Sequence, residues 1–164
     1  MTPTTEQLNK AWNEGAEAYI DLLTDAYNER LGGSLTAENI TLLNTDQLTL
    51  LAYRTLLDEV MQGGFIQLIQ NGYGPFILDG PFAMMMKKQW GLRQFGQFIY
   101  DVQHEYHRHR EELEADLDDE QFMALYEQQE TMNELGDQFL DDYQEDVTPA
   151  IAAYVREHEA DFLL

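Results

Sequence analysis

Cysteine is absent from this 164-residue sequence, so neither disulfides nor thiolate metal sites are available and the chain must hold together by packing. That suits a reducing compartment, and the cytoplasm is the expected location. Serine occurs once, at Ser34, which removes the Gly-x-Ser-x-Gly elbow of a serine hydrolase along with any cysteine nucleophile. No apolar run approaches the roughly 20 residues of a membrane span. The opening MTPTTEQLNKAWNEG has neither the basic start nor the apolar stretch of a secretory signal. Positive charge is scarce too: nine Lys and Arg stand against 31 Asp and Glu, a net charge of -22. A surface of that sign repels anionic lipid and nucleic acid, so neither a membrane nor DNA or RNA is expected as a direct partner.

What is present is enough apolar material for one core: 44% hydrophobic residues, including nine Tyr, eight Phe and two Trp. The spacing is helical throughout, with no lasting strand-like alternation, internal repeat or low-complexity linker. The expected fold is all-α, a single domain over residues 1–164 forming an irregular bundle of about six to eight helices. Thr4 and Gln7 form a capping-box pattern that opens a first helix through Leu8, Ala11, Trp12, Tyr19, Leu23 and Tyr27 as far as Gly32-Gly33. Thr45 caps a second helix from Asp46 to about Gln62, with Leu48, Leu51, Ala52, Leu56 and Val60 facing the core. Gly63-Gly64 interrupts it, and a short helix over Phe65 to Gln70 closes at Asn71-Gly72. Pro81 opens a helix to Gly91, and the spacing of Phe95, Phe98, Ile99, Val102, Tyr106 and Leu113 predicts another from Leu92 to near Leu117. Asp118 caps a helix through Phe122, Leu125, Met132, Phe139 and Tyr143, and Thr148-Pro149 starts the last one.

Chemistry-bearing patterns are few. In His104-Glu105-Tyr106-His107-Arg108-His109 the first two histidines lie three apart, where a zinc-protease helix needs four, and Arg108 sets a cation beside any metal. A solvated helix face is the expected reading; the alternative is a small metal-binding domain or enzyme using Asp101, His104, Glu105 and His107. Gly72-Tyr73-Gly74 lacks the third glycine of a dinucleotide loop, and no Gly-Lys-Ser/Thr occurs. Paired carboxylates such as Asp141-Asp142 are too abundant and crowded to single out a catalytic pair, and Asp116-Leu117-Asp118-Asp119-Glu120 lacks the spaced ligands of an EF-hand. No catalytic residue, metal or cofactor is therefore expected, and the chain is not expected to be an enzyme.

The charge itself is unevenly placed. Residues 1–110 hold 13 acids and 8 Lys or Arg, whereas residues 111–164 hold 18 acids and Arg156 alone. Between Glu111 and Asp146 there are 15 acids and no Lys or Arg. Like charges four apart on a helix cost about 0.2 to 0.5 kcal/mol each, and interspersed lysines would have given equal solubility without that cost. As one straight helix the segment would carry a carboxylate every ~3.6 Å, near the ~3.4 Å axial step of phosphates along a DNA strand. Folded into helices, Glu111, Glu112, Glu114, Asp116, Asp118, Asp119, Glu120, Glu127, Glu130, Glu134, Asp137, Asp141, Asp142, Glu145 and Asp146 make a candidate surface for a basic protein partner. The competing reading is an acidic face that only keeps the chain soluble.

The stretch Glu59-Val60-Met61-Gln62-Gly63-Gly64-Phe65-Ile66-Gln67-Leu68-Ile69-Gln70-Asn71-Gly72 resembles the signature of a bacterial family of DNA-mimic proteins. The family pattern is approximately Glu-Val-x-Asn-Gly-Gly-Phe-x-Gln-x-x-x-Asn, with Gln62 here in place of Asn. Leu135, Asp137, Phe139, Tyr154, Val155 and Phe162 are similar to the family's closing helices, so the likeness spans about residues 48–162. The resemblance implies an all-helical fold and, for the member that gave the family its name, binding to a repressor-type transcription factor in place of DNA. Gly63, Gly64, Phe65, Gln67, Asn71 and Gly72 are expected to be structural. The glycines would allow close backbone approach, Phe65 would pack, and Gln67 and Asn71 would satisfy backbone groups. An acidic module docking on a basic DNA-binding protein is the leading expectation. The alternative is an immunity protein against a basic toxin, and exposed Tyr and Met on the amphipathic helices would suit a homodimer.

Overall fold

The structure, a computed structural model, describes residues 1–164 and contains helices and turns with no β-strand. Its helices gather into two compact units, one formed by residues 1–54 with 146–164 and the other by residues 55–145.

In the first unit, the Thr4–Gln7 capping box starts α1 (Thr5–Glu14) as the sequence predicts. The long first helix is nevertheless two, because Gly15 takes φ +140° and breaks the ladder before α2 (Ala16–Leu31). Glycine alone adopts that backbone without strain. Trp12, predicted to face the core, is 36% exposed and meets Tyr19 edge-on at 5.3 Å. After a 3-10 turn at Asn39–Leu42, the chain enters α3 (Thr45–Gln70). Tyr19, Tyr27 and Tyr53 are fully buried, and each hydroxyl has a partner: Glu159, the Phe162 carbonyl and Thr148 respectively. Burial pushes all three phenols well above the ordinary tyrosine range, so they remain neutral.

The second unit takes over α3 and continues through a π-helical turn at Gly74–Leu78 and α4 (Phe82–Met84). A second π-turn at Met85–Gln89 leads to α5 (Arg93–Arg108), and α6 (Arg110–Glu114) follows. Next come α7 (Asp119–Gln128), capped by Asp118 as predicted, and α8 (Glu130–Gln138). The core of this unit is aromatic. Phe98 stacks on Tyr143 with ring centroids 4.6 Å apart, and Phe65, Phe95 and Phe139 pack around the pair. Gly96 brings α5 against the π-turn so closely that a Cβ there would lie 2.5 Å from Lys87 Cα. Only glycine permits that approach.

Three predicted helices are shorter than the periodicity implies. The one from Leu92 breaks at His109 and stops at Glu114, short of Leu117. The helix from Asp118 breaks at Gln129, whose side chain is buried and donates to Glu112. The helix after Pro81 is a single turn that widens into the π-turn. Pro149 does not start a helix but lies inside α9 (Gln144–Glu157). Its missing N–H would leave the carbonyl of exposed Glu145 to water, while buried Val147, Thr148 and Ile151 hold the helix in place.

Candidate protein-docking face

The predicted partner-binding carboxylates follow the chain over four helices. Glu111, Glu112 and Glu114 lie on α6, Asp116 and Asp118 in the connector, and Asp119, Glu120 and Glu127 on α7. Glu130, Glu134 and Asp137 lie on α8, Asp141 and Asp142 in the π-turn Phe139–Tyr143, and Glu145 and Asp146 at the start of α9. All 15 are exposed. Glu114 pairs with Arg110 at 2.8 Å, Glu112 lies 3.8 Å from His109, and Asp118 accepts the Gln121 backbone N–H. Asp118 and the other 12 have no ion-pair partner. All except Asp146 belong to the second unit.

The densest array has a simple geometric cause. From α8 the backbone stays right-handed through the π-turn into α9, so residues 130–145 form one helical run. Glu130, Glu134, Asp137, Asp141 and Glu145 are spaced four, three, four and four apart, which keeps them on one side of a helix. Met132, Gly136 and Phe139 face inward. With Asp142 included, six carboxylates occupy about 22 Å of axis at ~1.5 Å per residue, a mean step of ~4.5 Å.

The remaining charge of this unit is organised differently. Asp79 accepts from Arg110 at 2.7 Å and bonds His107, while Glu114 accepts from both Arg110 and the Tyr106 hydroxyl. Arg110 also lies over the Tyr106 ring at 4.9 Å. Partial burial pushes the Asp79 carboxyl up, but the bonds from His107 and Arg110 outweigh it and leave it below the ordinary range. Glu114 is held low chiefly by the Tyr106 hydroxyl, against some desolvation, with help from Arg110. Stability from these two carboxylates is therefore present above about pH 4 and is lost only as the pH falls through their depressed folded values. Carboxyl carbon shifts followed by NMR should turn over below the ordinary range for both residues. Arg110→Ala should raise both midpoints, and unmoved midpoints would remove the network as their cause.

This arrangement also dismantles the histidine cluster. His107 turns to Asp79, buried Glu105 lies 3.4 Å from both Arg108 and His109, and Asp101 accepts from Gln97. No three His, Asp or Glu side chains are placed to share a metal ion. Nothing in the spacing of the sequence pointed to Asp79, which lies 28 residues before His107.

The signature stretch forms the break in α3. Gly63 and Gly64 leave helical geometry, Gly64 with φ +73° and ψ -173°, a region open essentially to glycine alone. Phe65 is fully buried, and Gly72 at φ +88° ends the helix, its N–H donating to Ile69 and that of Tyr73 to Leu68. Gln67 and Asn71, expected to satisfy backbone groups, turn their side-chain amides to a carboxylate instead. Both side-chain amides donate to one carboxylate oxygen of Glu59, at 2.7 and 2.9 Å. A charged acceptor holds such donors more strongly than a carbonyl does.

No helix is long and apolar enough to cross a membrane. Over 98 residues the chain is 31% identical to the DNA mimic protein DMP19 of Neisseria meningitidis serogroup B, covering 60% of this chain and 58% of that relative. The similarity thus spans less than two thirds of the relative's length. The family model described as DMP19-like protein matches residues 41–158, a stretch that holds the Glu59 knot, the glycine break and the whole acidic run. By that match, over more than half of its length, the chain belongs to the family of DMP19-like proteins.

Proposed function

We propose that this chain is a non-enzymatic acidic binding module, a DNA mimic that occupies the DNA-binding face of a basic protein such as a transcription factor, in the cytoplasm. The observation that carries the reading is the exposure of 15 carboxylates, 13 of them without an ion-pair partner, over α6 to α9. An unpaired, one-signed surface gains most from meeting a partner of opposite sign, and steers it on approach. The name of the relative in Neisseria meningitidis supports the same reading. Met123 adds to it: 61% exposed on α7, it sits one turn from Asp119, Glu120 and Glu127, an apolar tip among anions. Thymine presents a methyl group in a comparable setting on DNA.

The test is retention from native lysate at low salt on the immobilised chain, followed by elution with duplex DNA. A DNA-binding protein displaced by duplex should be recovered, and its retention should fade as salt rises. The variant Asp118→Asn, Asp119→Lys, Glu120→Lys keeps a residue that caps α7 but reverses its first turn, and should lose that protein. Retained proteins indifferent to duplex, or equal retention by the variant, would sink the reading.

A further inference from the structure

We propose that the glycine break of α3 is the seat that positions the acidic helices α7 and α8, with Tyr126 as the positioning residue. Sequence places the signature residues some 60 positions from those helices; the structure brings them together within the second unit. The hydroxyl of Tyr126, in α7, donates to the carbonyl of Gly63 at the break. On α8, Gly136 is buried and faces the same point: a Cβ built there would lie 3.5 Å from Gly64 Cα and 3.7 Å from the Phe65 nitrogen. The corner between the two helices is tied as well, since Asn133 of α8 donates to the Tyr126 carbonyl at 2.6 Å. The Glu59 bonds to Gln67 and Asn71 also span the break and tie its two arms together.

The consequence is a division of labour within one motif. Tyr126 carries no charge and is half-buried, yet Met123 and Glu127, beside it on α7, face solvent. Releasing the hydroxyl leaves every carboxylate in the chain but frees α7 to move relative to α8. Carboxylates that move independently match a fixed row of basic groups less well, because each must then be ordered on binding. That step rests on the reading under Proposed function; the seat itself does not.

Two measurements on the full chain separate them. In Tyr126→Phe, amide hydrogen exchange over residues 119–128 should quicken about fivefold or more, the loss of one hydrogen bond, while α5 is unchanged. Tyr73→Phe, at an exposed tyrosine with no shared role, should leave exchange as in the native chain. Exchange in Tyr126→Phe equal to the native chain overturns the seat whether or not any partner exists. The binding arm uses the duplex-displaceable protein recovered from lysate: Tyr126→Phe should weaken it severalfold at unchanged net charge, with faster dissociation. Quickened exchange with undiminished affinity would keep the seat and overturn its part in binding. Failure to recover any such protein counts against the function alone, because the exchange result stands without it. At Gly136, alanine should be tolerated at a contact of 3.5 Å, whereas Gly136→Leu should speed exchange in α8; equal exchange in both would also overturn the seat.

Discussion

Changing Glu130, Glu134, Asp137 and Asp141 to their amides should lower affinity for a basic DNA-binding partner by about a hundredfold and raise the stability of the chain at the same time. The first half follows from four exposed charges worth roughly 0.7 kcal/mol each across an interface, a little under 3 kcal/mol together, at ~1.4 kcal/mol per tenfold. The second half follows from the helix itself. The four residues make three like-charged pairs three or four apart, each costing about 0.2 to 0.5 kcal/mol, and amides remove that repulsion. Glu130 returns a few tenths, since a negative charge in the first turn of α8 interacts well with the helix dipole. Denaturant midpoints and binding titrations on one quadruple variant therefore move in opposite directions. A face that served only solubility would show the gain in stability with no loss of binding, and that outcome would retire the mimic reading.

Phe98→Ala should be the most damaging single change to the second unit. Its ring is buried, stacks on Tyr143 at 4.6 Å, and touches the rings of Phe65 and Phe95. Truncating a buried phenylalanine costs about 3 to 5 kcal/mol, through lost transfer energy and the cavity left behind. Against a total stability of roughly 5 to 15 kcal/mol that is a large fraction, and at ~2 to 4 °C per kcal/mol the melting temperature should fall by roughly 6 to 20 °C. Phe98→Leu should recover most of the loss. A fall below about 2 °C in the alanine variant would mean that this aromatic cluster is not the core of the unit.

Local signals in the sequence went far. The Thr4 and Asp118 caps, the interruption at Gly63-Gly64 and the inward row on α5 are set by spacings of four residues or fewer, and the structure has them where the pattern puts them. On α3, Leu51, Ala52, Leu56 and Val60 are buried as predicted, but Leu48 is half-buried and the cap is Asn44, paired with Gln47, one residue before Thr45. The acidic run was equally legible as a row of solvent-facing residues, because helical periodicity sorts Met132 and Phe139 inward from Glu130 and Glu134 outward. The misses have a common cause in contacts across the chain. Helical periodicity runs straight through Gln129, and only a partner 17 residues away, Glu112, explains why its side chain is buried at a break. The pull of Asp79 on His107 and of Glu59 on Gln67 and Asn71 is likewise invisible until the chain is folded. Pro149 misled for the opposite reason: its local preference for a helix start was overridden by the packing of Val147 and Ile151 on either side.

The unneutralised row along residues 130–145 makes this stretch a short polyelectrolyte. A line of charge at ~4.5 Å intervals gathers sodium or potassium around it, as a phosphate backbone does. A lysine- or arginine-rich partner displaces those ions into bulk water, and their gain in freedom becomes a driving force that owes nothing to shape. On a logarithmic plot of affinity against salt, the slope then counts the ions set free.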